Sequence, residues 1–232
     1  MPNSNDLRMT CWRGEAGESR TVSLQQVVIA GWTGRDPVAL NKHIAELKEL
    51  GVKPPTKVPC FFRASVNVVS TQTDLQYVGE DGTGEIEFFL VSQADGLWVG
   101  VGSEHTDRKV ETYSIPVSKQ LCQKAVAPEL WRYEEVKDHW DRLILRAHIL
   151  EGSRRTLYQE GPLADIRRPE DLISTYTGGS GRLPPGTLMF GGTFSAIGGV
   201  RPAPEFHMEL EDPVRRRTIA HRYRIHTLPW EE

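Results

Sequence analysis

Two apolar runs separated by a short break constrain the fold of this chain more than any other feature. They read EIEFFLV (residues 85–91) and LWVGVG (97–102). If the first run is a strand, Glu85 and Glu87 share one face, about 7 Å apart along it, because side chains alternate. The second run leads into the polar cluster SEHTDR (103–108). Three carboxylates brought together by two such strands form a hard-oxygen site of the kind that Mg²⁺, Mn²⁺ or Ca²⁺ prefers. The alternative is that these charges are the solvated ends of two strands.

Composition excludes several function classes. The 232 residues include 28 basic and 31 acidic residues, and no basic excess points to nucleic acid. No apolar stretch approaches about 18 residues and the N-terminus lacks a signal-peptide core, so we expect a cytoplasmic protein without a membrane partner. The three cysteines lack C-x-x-C spacing, which argues against structural disulfides and a zinc site.

The first third of the chain predicts a small N-terminal unit. Residues 20–30 have the pattern of a strand, and residues 36–50 have that of a helix, with Asp36 as N-cap and Pro37 at the first helical position. The proline-bearing segment GVKPPTKVP then resembles a linker. We therefore predict a strand-helix unit over residues 1–57 and a main domain over residues 58–232.

The main domain consists almost entirely of short predicted strands. Apolar and polar residues alternate from Leu143 to Ile149, and EFHMELE and TIAHRYRI show the same period of two. A second helix is predicted over 169–177, where acidic residues occupy the first turn and a Gly-Gly pair follows. Lys119 is placed after a turn at Pro116. The fold class is mostly β with peripheral helices, an α+β arrangement with 21 glycines and 15 prolines serving its turns.

Individual residues give weak functional signals. His105 is the one histidine inside the acidic cluster and could act as a general base, although surface histidines with hydrogen-bonding roles are equally common. Lys119 could hold a substrate carboxylate or an enolate oxygen, but exposed lysines are the usual case. Thr193 lies in GGTFSAIGG, where glycines permit close approach of a ligand to the backbone and equally permit a tight turn.

Six segments in order resemble the fumarylacetoacetase-like family, over about residues 58–225. KVPCFFRAS is similar to a family segment that ends in phenylalanine and lysine, and GEIEFFLV is similar to the metal strand E-x-E-L-A-V-V. VGVGSEHTDRKVE resembles G-Y-T-V-x-N-D-V-S-A-R-D-x-Q, and SKQLCQKAVAP resembles K-S-x-D-x-x-x-P. GPLADIRRPEDLISTYT is similar to the segment that leads into a short helix, and PPGTLMFGGTFSAIGG resembles P-G-D-V-I-L-T-G-T-P-x-G-V-G. The resemblance implies a rolled mixed β-sheet fold, with a poorly characterised bacterial branch as the nearest group.

The resemblance also implies roles for individual residues. Glu85, Glu87 and Glu104 correspond to ligands of Mg²⁺, or of Mn²⁺ or Ca²⁺. The groups around the substrate oxygens are implied to be Arg63, Arg108, Lys119 and Thr193. Family members cleave, decarboxylate, isomerise or hydrate small 2-oxo, β-dicarbonyl or enol acids through a metal-stabilised enolate, and they are commonly homodimers. A small carboxylic acid is therefore the implied substrate, with His105 and Lys119 as catalytic candidates.

The sequence departs from the family pattern at several positions. Glu104 stands in place of aspartate, Glu111 in place of glutamine and Phe194 in place of proline. No His-x-x-Glu pair lies between Arg63 and Glu85, which weakens the assignment as a carbon–carbon hydrolase in particular. The alternatives are a non-catalytic small-molecule-binding or dimeric scaffold protein of the same fold, or an unrelated β-domain with solvated strand ends.

Overall fold

The computed structural model describes residues 4–38 and 57–229, and most of this part of the chain is β-structure. Its strands are β1 (Asn5–Arg13), β2 (Ala16–Leu24), β3 (Gln26–Gly31), β4 (Cys60–Ala64), β5 (Val69–Ser70), β6 (Asp74–Val78), β7 (Gly82–Thr83), β8 (Ile86–Gln93), β9 (Gly96–Ser103), β10 (Thr106–Asp107), β11 (Lys124–Val126), β12 (Glu129–Arg132), β13 (Ile144–Glu151), β14 (Arg154–Pro162), β15 (Thr187–Phe190), β16 (Glu205–Asp212) and β17 (Arg217–Leu228). The α-helices of the described residues are α1 (Arg108–Tyr113), α2 (Ile115–Leu121) and α3 (Pro169–Tyr176). Short 3-10 helices cover Val66–Val68, Tyr133–Glu135, Lys137–Arg142 and Leu163–Asp165.

The strands form two large mixed sheets. The larger has the order β2-β1-β12-β9-β8-β15-β3-β4, with β11 pairing both β9 and β5. Three of its pairings are parallel: β1 with β12, β15 with β3 and β11 with β5. The second sheet has the order β14-β13-β16-β17-β6, and a two-stranded sheet joins β10 to β7. This architecture confirms the predicted fold class.

Both faces of strand β8 are buried, so the strand lies in the interior of the protein. Phe88 and Leu90 pack into the hydrophobic cluster shared with the second sheet, where Phe206 and Tyr223 are also buried. Phe89 packs on the opposite face of the larger sheet, in a separate cluster. A strand covered on both sides has an almost continuous apolar sequence, which is why EIEFFLV lacks alternation. Its acidic N-terminal end is therefore carried into the interior.

The alternating patterns of the second sheet are confirmed. In β13, Leu145, Ala147 and Ile149 are buried while the residues between them are partly exposed. β16 and β17 pair in antiparallel register from Glu205↔Arg224 to Asp212↔Arg217. The predicted helix over 169–177 is α3, which is followed by Gly178 with φ 63°. None of the described helices is long and apolar enough to cross a bilayer.

Two local predictions need correction. The predicted strand over 20–30 is two strands, the end of β2 and β3, which meet at Gln25. Pro116 does not form a turn before Lys119, because it lies in the first turn of α2, where the missing amide hydrogen has no helical partner to lose.

The strands of the N-terminal region belong to the same larger sheet as β8 and β9. Strands β1, β2 and β3 all hydrogen-bond within it. Of the predicted helix over 36–50, only Pro37 and Val38 are described as helical, with the Val38 amide donating to Asp36 Oδ1 at 2.8 Å. The remainder of that helix and most of the predicted linker lie outside the described residues. The boundary between residues 57 and 58 therefore stays a prediction.

Candidate metal centre

Three glutamates meet where the β8–β9 hairpin opens. Ile86 pairs with Ser103, and one residue further the Glu104 amide donates to the Glu85 carbonyl at 2.9 Å. Glu85 and Glu104 are thus cross-strand neighbours of like charge, a pairing that destabilises a sheet. Glu87 lies two residues further along β8, so it projects from the same face as Glu85.

One carboxylate oxygen from each glutamate lies within 4.8 Å of the others. Glu87 is 3% exposed, and Glu104 is completely buried. The structure therefore brings together all three residues that the sequence predicted as metal ligands. We call Glu85, Glu87 and Glu104 the acidic cluster.

Arg108 neutralises the outer member of the acidic cluster. Its Nη2 lies 2.9 Å from Glu85 Oε1, its Nη1 lies 2.8 Å from Glu111 Oε2, and its Nε donates to Thr83 Oγ1 at 2.6 Å. The guanidinium is held at the start of α1 because Asp107 caps that helix by accepting a hydrogen bond from the Val110 amide. All three of its nitrogens are therefore in use within the chain.

Glu104 is paired with two lysines, one at each carboxylate oxygen. Lys119 Nζ, on α2, forms an ion pair with Oε2. Lys124 Nζ, at the start of β11, lies 2.9 Å from Oε1. Thr106 Oγ1 also donates to Oε1 at 3.2 Å.

Glu87 differs from the other two glutamates because no ion pair is found for it among the described residues. Its Oε2 accepts a hydrogen bond from the Gly192 amide at 2.7 Å. Gly192 has φ 108°, and a Cβ atom there would lie 1.8 Å from Thr33 Oγ1, so only glycine allows this amide to reach the carboxylate. The two glycines after β15, Gly191 and Gly192, form a glycine corner that contacts the acidic cluster directly.

Burial and neighbouring charges shift the pKa values of these groups in opposite directions. Burial, together with the Glu104 and Glu85 charges, raises the pKa of Glu87 well above its ordinary value. Burial acts in the same direction on Glu85, but the positive charges of Arg108 and Lys119 outweigh it and lower that pKa. Burial would lower the pKa of Lys119, yet Glu104 and Glu85 raise it above its ordinary value.

The donor set of the acidic cluster fits a divalent cation. It offers three carboxylates within reach of one another, which suits hard ions such as Mg²⁺, Mn²⁺ or Ca²⁺. Arg108, Lys119 and Lys124 pair with Glu85 and Glu104, whereas Glu87 is buried beside two like charges and accepts a hydrogen bond from the Gly192 amide. Burying a carboxylate without a charge partner is costly, and a bound divalent ion would offset that cost.

Thr193 directly follows Gly192, whose amide contacts the acidic cluster. Its Oγ1 accepts a hydrogen bond from Gln159 Nε2 at 2.9 Å. Gln159 is 2% exposed, and its Oε1 accepts from the Ile86 amide at 3.0 Å, so it connects the glycine corner to the start of β8. Because the Thr193 oxygen is already an acceptor, its hydroxyl proton is available to another acceptor.

His105 faces away from the carboxylates, into the core. Its ring stacks on Tyr77 with centroids 4.1 Å apart, and Nδ1 is 2.9 Å from the Tyr223 hydroxyl. A Cβ atom at Gly82 would lie 2.7 Å from its Nε2, so the backbone covers that nitrogen. Burial and the charges of Lys124 and Arg108 lower the pKa of His105 well below its ordinary value. Its predicted catalytic role gains no geometric support and stays a prediction.

Arg63 lies on β4, which pairs with β3 rather than with the hairpin. Its Nε donates to the Val27 carbonyl at 3.2 Å and its Nη1 to the Tyr176 hydroxyl at 3.4 Å. Its predicted contact with substrate stays a prediction.

Two residues of the site were missed in the sequence. Lys124 is completely buried, although its segment QKAVAP offers no pattern that distinguishes it from an exposed lysine. Gln159 lies in β14 directly after Tyr158, and both are buried where the pairing with β13 shifts register, so period-two alternation could not identify it.

A family model described as "Protein of unknown function (DUF2848)" matches residues 30–223. The chain belongs to the DUF2848 family. A comparison with curated proteins gives no match.

Solved structures with the same fold come from the fumarylacetoacetate hydrolase family. One is described as a fumarylacetoacetate isomerase/hydrolase from Oleispira antarctica, with TM-score 0.66, 16% identity, and coverage of 94% of this chain and 99% of that one. Another is described as a fumarylpyruvate hydrolase from Burkholderia cenocepacia, with TM-score 0.62, 18% identity and 96% coverage of both chains. A third is a 2-keto-3-deoxyarabinonate dehydratase, with TM-score 0.65, 16% identity, and coverage of 93% and 79%. This DUF2848 protein therefore has the fumarylacetoacetase-like fold, as its sequence motifs predicted.

Proposed function

We propose that this DUF2848 protein is a divalent-metal-dependent enzyme that acts on a small 2-oxo, β-dicarbonyl or enol acid. The observation that carries the proposal is the acidic cluster, with its unmatched Glu87 and its adjacent lysine. Further support comes from structures of the same fold, whose names indicate hydrolysis, isomerisation or dehydration of such acids. The acid would be a small carboxylate.

In this proposal Glu85, Glu87 and Glu104 hold the ion. A bound divalent cation stabilises negative charge on an oxygen of an enolate-like species. Of the two lysines at Glu104, Lys119 is the one that retains some exposed side-chain surface, and it would hold the carboxylate of the acid. The Thr193 hydroxyl, oriented by Gln159, would donate to a second oxygen. Arg108, which pairs with Glu85 and Glu111, would orient the Glu85 carboxylate and add positive charge to the site.

The second candidate is a protein that binds the same acids without turnover. The position of His105 favours it, because this histidine, which follows Glu104 in the sequence, is enclosed by Tyr77, Tyr223 and Gly82. Turnover of acylpyruvates and oxaloacetate separates the two candidates. Tight metal-dependent binding of oxalate without any turnover across such a panel would favour the binding protein.

Thermal unfolding with Mn²⁺ tests the metal site. At 100 times the Kd, a bound ion stabilises the native state by about 2.7 kcal/mol. For a domain of this size that corresponds to a rise in Tm of about 5–10 °C. Glu87→Gln keeps an acceptor for the Gly192 amide and removes one ligand charge, so it should abolish the rise.

The matched control is Glu209→Gln, an acidic residue of the second sheet that pairs with Arg155 at 2.6 Å. It should respond to Mn²⁺ as the wild type does. An equal rise in Tm for wild type and Glu87→Gln would contradict the proposed site. The homodimer implied by the family resemblance is a separate prediction, and light scattering would give twice the 26.1 kDa of one chain.

A further inference from the structure

Lys124 is more deeply buried than Lys119 or Arg108, the other two cations described at the acidic cluster. It is completely buried at the first position of β11. That strand is hydrogen-bonded on both sides, in parallel with β5 through Lys124↔Val69 and in antiparallel with β9 through Ala125↔Ser103. Its backbone is therefore fixed by two neighbouring strands, one of which leads directly into Glu104.

The ammonium group of Lys124 has two acceptors on consecutive residues. It lies 2.9 Å from Glu104 Oε1, and it also donates to the His105 backbone carbonyl. The carbonyl holds the ammonium in place independently of the carboxylate. The carboxylate orientation therefore follows from a backbone-anchored group.

Lys119 contacts the same carboxylate in a different setting. It projects from the short helix α2, retains 10% exposure of its side chain, and lies 5.8 Å from the centre of the Phe62 ring. It reaches Oε2, whereas Lys124 takes Oε1. If the two lysines served only to neutralise charge, they would be interchangeable, but their burial and anchoring differ.

We propose that Lys124 is the positioning residue of the metal centre, fixing the Glu104 carboxylate through Oε1, while Lys119 is the lysine that contacts the bound acid. This inference rests on the proposed function. A ligating carboxylate whose second oxygen is held by an outer partner keeps its orientation before the ion arrives, and loss of such a partner typically lowers metal affinity about 10- to 100-fold. The extra methylene of a glutamate adds a rotatable bond, which makes such a partner more important.

Calorimetric titration with Mn²⁺ alone, followed by oxalate at saturating Mn²⁺, tests this division between the lysines. Lys124→Met removes the ammonium and keeps the length of the side chain. It should weaken Mn²⁺ binding about 10- to 100-fold. The matched control, Lys119→Met, changes the other lysine on the same carboxylate. It should not weaken Mn²⁺ binding, and it should weaken oxalate binding at least about tenfold. Equal effects of the two variants on Mn²⁺, or an unchanged affinity in Lys124→Met, would overturn the inference.

A second measurement covers the case in which Lys124→Met folds poorly. Because Lys119 also pairs with Glu104, adding Glu104→Gln to Lys124→Met should lower the Tm by less than Glu104→Gln lowers it in the wild type. Double-mutant cycles on the Tm of the metal-free protein should give a larger coupling of Glu104 with Lys124 than with Lys119.

The two proposals fail in different ways. Absence of Mn²⁺ binding by the wild type would overturn the proposed function, and the cycles would then decide the role of Lys124 independently. A coupling with Lys124 no larger than that with Lys119 would overturn the positioning role.

Discussion

At the scale of single residues, the site is defined by how each charge is matched. Glu85 and Glu104 face each other across the hairpin, and each has a basic partner, whereas Glu87 has an amide hydrogen. Like charges placed opposite one another are destabilising, so a functional ligand is the simplest reason to retain them. Glu87, for which the described residues offer no ion pair, is the carboxylate that a bound cation would stabilise most.

Glu111 gives a residue-scale prediction about anion binding. Its carboxylate lies 2.8 Å from Arg108 Nη1 and competes with any bound acid for that guanidinium. Glu111→Gln should therefore strengthen oxalate binding in the presence of Mn²⁺ by about two- to fivefold, because a partly exposed ion pair contributes about 0.5–1 kcal/mol. Calorimetry would measure the change. Glu134→Gln, at an exposed pair with Arg132, is the control, and a weaker oxalate affinity in Glu111→Gln would contradict the prediction.

The acidic cluster was predictable from sequence, but the lysines around it were only half predictable. Glu85, Glu87 and Glu104 follow from strand periodicity and from motif order, both of which are local properties. Lys124 was missed because its burial depends on a counter-charge that the β9–β11 pairing supplies. His105 follows Glu104 in the sequence, which suggested that it lies with the carboxylates. Neighbouring side chains of an extended segment point in opposite directions, so its ring packs against Tyr77 and Tyr223 instead.

At the scale of elements, the β8–β9 hairpin connects the acidic cluster at one end to a polar tie at the other. In its turn, Asp95 Oδ2 accepts from Arg13 and Arg20 at 2.7 Å each, and Oδ1 accepts from Trp98 Nε1 at 3.1 Å. The arginines belong to β1 and β2, so this carboxylate joins the hairpin to the edge of the larger sheet. Burial would raise the pKa of Asp95, but the hydrogen bonds from Arg20 and Trp98 outweigh it and lower the pKa to about 2.

Asp95 therefore predicts an acid-sensitive hairpin. Since its folded pKa lies below its ordinary value of 3.8, its contribution to stability is complete above about pH 4 and is lost as the pH falls toward 2. Asp95→Asn should lower the free energy of unfolding at pH 7 by about 1–2 kcal/mol, after allowance for its exposure, and should flatten the pH dependence below 4. Urea unfolding between pH 2 and 7 would measure both effects. An unchanged slope below pH 4 would show that the tie has no energetic role.

Among the elements, strands with one buried face were predicted best. β13 and β16 alternate cleanly, because one side of the second sheet faces the core. Strands β1 and β5 were not predicted. β5 has two residues, too few for any period. β1 does alternate, with Leu7, Met9 and Cys11 buried between more exposed residues, so its signal was present in the sequence and was overlooked. Pro116 was misread because the same residue type begins helices and forms turns.

At the scale of the whole molecule, two sheets of opposite character surround the site. The larger sheet is buried on both faces around β8, and the second sheet is buried on one face and carries cross-strand ion pairs on the other, such as Arg146 with Glu160 at 2.5 Å. The fold follows from the motif order along the sequence, but the pairing of β1 with β12 and of β3 with β15 joins residues more than a hundred positions apart. Such long-range pairing leaves no local pattern to read.

The acidic cluster has the opposite property, because its carboxylates come from one antiparallel hairpin, whereas the Gly192 amide that closes over Glu87 arrives from far along the chain. Short loops close at low entropic cost, so the hairpin can bring the three carboxylates together before β15 docks. Glu87, which is 3% exposed in the folded protein, would still be open to solvent at that stage. A nascent chain would then meet its ion while the cluster is still open to solvent.

We expect refolding in Mn²⁺ to give full occupancy faster than adding Mn²⁺ to the folded metal-free protein, as followed by stopped-flow loss of free ion. Equal rates would mean that the folded cluster stays accessible. The order in which the strands assemble would thus decide when the protein acquires its ion.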